Sequence, residues 1–292
     1  MGGFMHIKKV ALGLIAGLVV ALAVPVSAFA APSTNVVLEG DVTRQAENTT
    51  PTDNWVIYTR AGTPSTAAAF VEGPAAPPLG TGSLQLSTVT SSDKVFAFNF
   101  DHEGTKLADV DTISYSTFRT AGSAQQVAAL NVVIDYNGPT VDGGFSTLVF
   151  EPVYNTDQGE VVSGEWQDWN ATGIGTWWST RAINGQCAGA SATCDKTWAE
   201  IVASNPDAIV LGGVGINQGS GNPGLTTSVD AFTFNEITYN FEKTAPKPVK
   251  ATTKDQCKDG QWQNFQTQYK NQGDCVSSVA NKKNVSFVPI GD

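Results

Sequence analysis

The sequence predicts an all-β protein, a jelly-roll-like antiparallel β-sandwich with one short inserted helix, followed by a small disulfide-stapled helical module. Between residues 35 and 242, short runs of β-branched and aromatic residues are separated by Gly, Pro, Asn and Asp. Helical periodicity is almost absent from this region. A span of about 210 residues is long enough for one all-β domain.

Eleven runs carry the strand signal, and several of them alternate between apolar and polar residues. In the run from Lys94 to Phe100, Phe96, Phe98 and Phe100 share one face and Asn99 points to the other. One apolar face and one polar face are typical of antiparallel sheets. The runs predicted as strands are 35–42, 55–58, 83–88, 95–100, 112–119, 130–136, 146–154, 165–169, 177–183, 209–218 and 228–241.

One helix is predicted inside the sandwich. Thr197 and Glu200 have the spacing of a capping box, in which each side chain binds the backbone N–H of the other residue. The helix then covers residues 198–204, because Pro206 disfavours helical backbone at Asn205.

The N-terminus has the pattern of a secretory signal peptide. Lys8 and Lys9 precede a fifteen-residue uncharged run, and Ala28 and Ala30 supply the small residues that signal peptidase needs. The apolar run is shorter than the roughly 20 residues of a membrane span. We therefore expect residues 1–30 to be removed, no membrane span in the mature chain, and a secreted protein that is extracellular or associated with the cell wall.

The four cysteines predict two disulfides, because an even number of cysteines in an exported chain indicates disulfide pairing. Three pairings are possible for four cysteines, and the local ones, Cys187–Cys194 and Cys257–Cys275, are favoured. Their spacing and the scarcity of histidine argue against structural zinc.

Composition divides the mature chain into a sandwich domain at 31–242, a Pro- and Lys-containing linker at 243–253 and a C-terminal module at 254–292. The sandwich domain has 7 basic and 23 acidic residues, a net charge of −16, which argues against nucleic acid as a partner. Residues 243–292 have a net charge of +4, so the tail is suited to an anionic cell-wall polymer or to the acidic domain itself.

Two parts of the sequence resemble known families. The segments KDQCKDGQWQNF (254–265) and KNQGDCV (270–276) resemble a C-terminal motif of uncharacterised secreted bacterial proteins. The larger domain is similar to extracellular domains of unknown function, with the shared segments TLVFEP (147–152), WQDW (166–169), WW (177–178) and VDA (229–231). The resemblance implies export and a jelly-roll-like fold, and it implies no activity and no catalytic residue.

A tryptophan cluster suggests carbohydrate binding, since such proteins stack flat aromatic rings on sugars and add polar contacts. The candidate binding residues are Trp166, Trp169, Trp177, Trp178, Asp168 and Arg181. Because strand residues alternate between faces, at most one tryptophan of each neighbouring pair can join the same exposed surface. The alternative, that most of these rings pack in the core, stays open.

Catalysis is the second hypothesis: a polysaccharide hydrolase or lyase that uses two of the carboxylates of Glu151, Glu160, Glu165 and Asp168. Glu165 and Asp168 are an odd number of residues apart, so on one strand they point to opposite faces. His102 is the one histidine left after residue 30, and we interpret it as a turn residue. We therefore assign no catalytic residue, and a structural envelope or matrix protein is the third hypothesis.

Calcium is the one metal that the sequence brings into consideration. Residues 135–138 and 142–144 offer Asp and Asn oxygens around glycines, but the spacing differs from an EF-hand loop. We favour a glycine-rich hairpin turn and predict no cofactor.

Overall fold

The computed structural model describes residues 33–123, 125–247, 250–265, 267 and 269–281. Within these residues, fifteen strands form two sheets and two α-helices are present. The predicted all-β sandwich with one inserted helix and a helical C-terminal module is confirmed. The predicted signal peptide, residues 1–30, lies outside the described residues.

The strands in chain order are β1 (Ser33–Val37), β2 (Thr43–Ala46), β3 (Trp55–Thr59), β4 (Ala68–Glu72), β5 (Gly82–Thr88), β6 (Lys94–Asn99), β7 (Ile113–Ala121), β8 (Ala129–Asp135), β9 (Phe145–Phe150), β10 (Trp166–Asn170), β11 (Thr176–Ser179), β12 (Lys196–Thr197), β13 (Ile209–Gly219), β14 (Leu225–Phe234) and β15 (Ile237–Phe241).

The seven-stranded sheet has the order β1-β15-β14-β5-β4, with β7 also paired to β14 and β10 paired to β7. The eight-stranded sheet has the order β12-β11-β9-β8-β13-β6-β3-β2. Pairing is antiparallel except for β1 with β15 and β2 with β3, which are parallel. From β5 to β8 the chain crosses from one sheet to the other at every strand, which gives the sandwich its jelly-roll-like path.

Each of the eleven predicted runs overlaps a strand, and the run 228–241 overlaps two. It divides because Asn235, with a left-handed φ of 53°, turns the chain between β14 and β15. Strands β2, β4 and β12 are not among the predicted runs. β2 and β12 are short and polar, with four and two residues, and two of the five residues of β4 are alanines, which have low β-propensity.

The core lies between the two sheets and takes alternate residues from strands of both. Strand β6 shows the alternation: Val95 and Ala97 face the core. Phe96 and Phe98 therefore lie on the opposite, outer face of the eight-stranded sheet, in a second buried cluster that includes Tyr58. The predicted alternation is present, and the phenylalanine face is the outer one.

The inserted helix α1 (Trp198–Ser204) begins as predicted. The backbone N–H of Glu200 donates to the Thr197 hydroxyl at 3.3 Å, and the backbone N–H of Thr197 donates to the Glu200 carboxylate at 2.9 Å. Trp198 anchors the helix in the core, where its ring contacts that of Trp177. The disulfide Cys187–Cys194 closes the loop that precedes the helix.

The C-terminal segment has a small apolar cluster of its own. The disulfide Cys257–Cys275 links a short 3₁₀ turn to helix α2 (Gln272–Asn281), and Phe265 and Tyr269 pack beside it. Both disulfides have the predicted local pairing.

A buried carboxylate on β14 joins three parts of the seven-stranded sheet and its loops. Asp230 accepts hydrogen bonds from the backbone N–H of Leu79 at 2.9 Å and of Phe241 at 3.1 Å. Burial raises the pKa of Asp230 to about 6, against the pull of these backbone donors, and the charge of Glu242 adds to the rise. The folded protein therefore binds a proton at Asp230 more readily than the unfolded chain does.

This difference in pKa predicts that Asp230 makes the protein less stable as the pH rises from about 4 to about 6. The stability that protonated Asp230 adds to the folded protein is fully present below 3.8, the ordinary pKa of aspartate. It is lost as the pH rises past about 6, the pKa of Asp230 in the folded protein. A difference of about two pKa units corresponds to about 3 kcal/mol. Urea unfolding at a series of pH values, with Asp230→Asn beside the wild type, measures it. Parallel stability curves for the two proteins would contradict the prediction.

Candidate functional site

A cavity of about 220 Å³ lies on the outer face of the eight-stranded sheet. Leu130 and Val132 of β8 point into the core, so Asn131 between them points to the outer face. The same alternation directs residues of β6, β9, β11 and β13 to this face. The polar and aromatic residues that line the cavity include Lys94, Asn131, Glu151, Trp178, Asn217 and Asn222.

Trp178 is the tryptophan of this cavity, and Glu151 holds it. The indole Nε1–H donates to Glu151 Oε2 at 2.9 Å, and both side chains are half-buried. Burial raises the pKa of Glu151, the hydrogen bond from Trp178 opposes the rise, and the charge of Asp195 adds to it. With its N–H satisfied inside the protein, the indole has its ring surface to offer a ligand.

Two asparagine side chains in the cavity wall have unused hydrogen-bond acceptors. The Oδ1 atoms of Asn131 and Asn217 are buried and have no hydrogen-bond partner among the described residues. Asn131 is only 6 % exposed. A buried acceptor left without a donor costs about 1–3 kcal/mol. Both carbonyl oxygens are unused acceptors in the cavity wall, and because they are buried, a ligand hydroxyl or N–H reaches them only if the asparagine side chain turns toward the cavity.

Lys94 is the cationic residue among those that line the cavity. Its ammonium lies 4.6 Å from the centre of the Phe96 ring. Burial lowers the pKa of Lys94, the charge of Arg60 lowers it further, and Glu47 acts in the opposite direction. No acid among the described residues forms an ion pair with Lys94.

The structure divides the four candidate tryptophans between core and surface. Trp169 and Trp177 are 1 % and 0 % exposed and lie in the core. Their indole N–H groups donate to Thr117 Oγ1 and to the Ala171 carbonyl oxygen, each at 2.8 Å. In the conformation described, neither ring has surface to offer a ligand.

Trp166 is half-buried, but it belongs to the other sheet. It lies on β10 beside Phe118, and its Nε1–H donates to the Pro74 carbonyl oxygen at 2.9 Å. Trp178 lies on β11 of the eight-stranded sheet. The two remaining tryptophans are thus placed in different sheets and do not form one platform.

The predicted polar partners are also outside the cavity. Asp168 accepts a hydrogen bond from the Ser116 hydroxyl at 2.5 Å in the seven-stranded sheet. Arg181 is exposed, and its guanidinium lies 4.7 Å from the centre of the Phe145 ring. Lys94, Asn131 and Asn217 line the cavity and are not among the predicted site residues. The available signal was a polar residue at a position of each strand that alternates with core residues.

The candidate carboxylates are distributed in the same way. Glu151 lines the cavity of the eight-stranded sheet, whereas Asp168 lies in the seven-stranded sheet and Glu165 directly precedes the same strand, β10. The structure therefore does not bring Glu151 and Asp168 into one groove. His102 is a buried turn residue, as interpreted, and its Nε2 shares a hydrogen bond of 2.9 Å with the Tyr239 hydroxyl.

A second cavity, of about 610 Å³, lies beside β1 and contains three aspartates. Their carboxylates already accept hydrogen bonds: Asp41 from the Leu38 N–H, Asp53 from the Asn54 N–H, and Asp101 from the Asn99 amide. No group of three or more His, Cys, Asp or Glu suited to a metal ion occurs among residues for which the structure is described.

The segment considered for calcium forms the hairpin turn between β8 and β9. The Tyr136 N–H donates to the Gly144 carbonyl oxygen at 2.8 Å. Gly144 has a left-handed φ of 82°, and a Cβ there would overlap with the side-chain oxygens of Asp135 and Asn137. The turn thus requires glycine at this position.

Comparisons with protein-family models, with curated proteins and with solved structures find no match for this chain. In the part of the chain that is described, no helix has the length and apolar character needed to cross a membrane.

The contrast between neighbouring tryptophans gives a stability prediction. Trp177→Ala should lower the free energy of unfolding by about 3–5 kcal/mol, because it removes a fully buried ring from the core. Trp178→Ala should cost about 1–2 kcal/mol, since it removes a half-buried ring with one hydrogen bond. Denaturant unfolding of both variants measures the difference, and equal losses would contradict the assignment of Trp178 to the outer face.

Proposed function

We propose that the protein is a secreted glycan-binding protein that holds a saccharide in the cavity on the outer face of the eight-stranded sheet. One observation carries this proposal: Trp178, Asn131 and Asn217 line the same cavity. The indole N–H of Trp178 is already bound to Glu151, and the carbonyl oxygens of the two asparagines have no hydrogen-bond partner among the described residues. A sugar presents C–H groups that pack against an indole ring and hydroxyl groups that donate to carbonyl oxygens. Trp178 supplies the ring, and the two asparagine carbonyls supply the acceptors once their side chains turn toward the cavity.

The dimensions of the cavity favour a polymer chain over a small enclosed ligand. Lining residues come from β11, β9, β8, β13 and β6, which are consecutive in the sheet. Four strand spacings amount to about 19 Å. A volume of about 220 Å³ spread over that distance is long and narrow, and a pocket for a drug-sized ligand has at least about 300 Å³.

Binding is favoured over catalysis because the cavity supplies one carboxylate. Among its described lining residues, Glu151 is the only acid. Most glycosidases need two carboxylates on opposite sides of the scissile bond. Export is supported by the predicted signal peptide and by the two disulfides, which persist in oxidising compartments.

A glycan array, followed by pull-down on insoluble polysaccharides, tests the proposed function. Trp178→Ala should weaken binding by on the order of 30-fold, the usual effect of removing a tryptophan that anchors an interface. Trp166→Ala is the matched control, because Trp166 is also half-buried but lies in the other sheet. It should leave the affinity unchanged.

Absence of binding to every saccharide tested would overturn the proposal. Equal loss of binding in the Trp178→Ala and Trp166→Ala variants would show that the cavity is not the binding site. Release of shortened or unsaturated sugars from a bound polysaccharide would favour the hydrolase or lyase hypothesis instead.

A further inference from the structure

We propose that the saccharide is acidic, and that Lys94 binds the carboxylate of a uronic acid residue in the chain. This inference rests on the proposed function and adds the class of sugar to it. The observation behind it is a half-buried lysine in the lining of the cavity, whose ammonium forms no ion pair with an acid among the described residues.

The neighbours of Lys94 leave its positive charge unbalanced. Arg60 is next to Lys94 across the sheet, where its backbone N–H donates to the Lys94 carbonyl oxygen at 3.0 Å. The Arg60 guanidinium is already paired with Glu47, at 2.9 Å between Nε and Oε2. On the other side, the residue opposite Lys94 is Gly219, which has no side chain. The protein therefore supplies a cation here and leaves its counterion to come from outside.

The surroundings of Lys94 strengthen any ion pair that it forms. The ammonium lies over the Phe96 ring, at the border of the apolar cluster that contains Tyr58 and Phe98. Charges interact more strongly near apolar groups than in open water. The flat carboxylate of a uronic acid is a suitable partner, because charge-assisted hydrogen bonds to an ammonium are among the stronger polar contacts.

The position of Glu151 determines which end of the cavity takes the acid. Glu151 follows β9, whereas Lys94 begins β6, three strand spacings or about 14 Å away. A carboxylate near Glu151 would be repelled, and one near Lys94 would be attracted. A sugar ring on Trp178 and a carboxylate at Lys94 therefore belong to different residues of one chain. The geometry favours an oligosaccharide over a monosaccharide.

Oligomers of galacturonic acid and their methyl esters provide the probe, because esterification removes the charge and keeps the sugar chain. Calorimetry on the purified wild type should show the free acid binding at least about 10-fold more tightly than the ester of equal length. Lys94→Met should abolish or reverse that preference, since the sandwich domain carries a net charge of −16. Lys94→Arg should retain it.

Lys106→Met is the matched control, because Lys106 is exposed and does not line the cavity. It should bind both probes like the wild type. If Lys94→Met fails to fold, the affinities of the wild type for the free acid and for the ester still show whether the site prefers a charged sugar.

Four results would overturn the inference, and they separate it from the proposed function. If acid and ester bind equally, or if Lys94→Met keeps the wild-type preference, the glycan is not selected by charge at Lys94, and glycan binding itself stands. If sulfated polysaccharides bind through Lys94 and uronates do not, the anion is a sulfate. If no saccharide binds, both proposals are wrong.

Discussion

The alternation of side chains along strands that share one core is the constraint on which the rest of this structure depends. Each strand gives every second residue to the space between the sheets, where burial of apolar surface supplies most of the driving force for folding. Trp177 and Trp178 show the result in two adjacent positions. The first is fully buried in the core, and the second faces the cavity beside Glu151.

The same constraint assembles the candidate site from distant parts of the chain. Lys94, Asn131 and Asn217 are the outward-facing residues of strands that are adjacent in the sheet, although they are far apart in sequence. Side chains carried by paired strands keep fixed positions relative to one another, which suits a binding site that must match a ligand without rearrangement. Glu151 adds to this rigidity by holding the Trp178 indole.

Local signals were enough to predict much of the fold, and long-range pairing explains what they missed. Turn residues and alternation located the eleven strand-bearing runs, and the spacing of Thr197 and Glu200 located the inserted helix. The outer position of Phe96 follows from the pairing of β6 with β3 and β13, which no local pattern encodes. The site was missed for the same reason: the tryptophan cluster is local in sequence, whereas the cavity is made by strand order.

The outer face of the eight-stranded sheet combines two surfaces that act together in the proposed site. One part is the polar cavity, and the other is the apolar cluster around Phe96 and Phe98. Lys94 belongs to both, since it lines the cavity and lies over the Phe96 ring. An acidic domain repels an anionic polymer at long range, but salt screens exposed charges beyond about 8–10 Å. At contact distance the interaction is set by Lys94 and its apolar surroundings. The proposed preference for an acidic sugar therefore depends on Lys94 at contact distance and not on the overall charge of the domain.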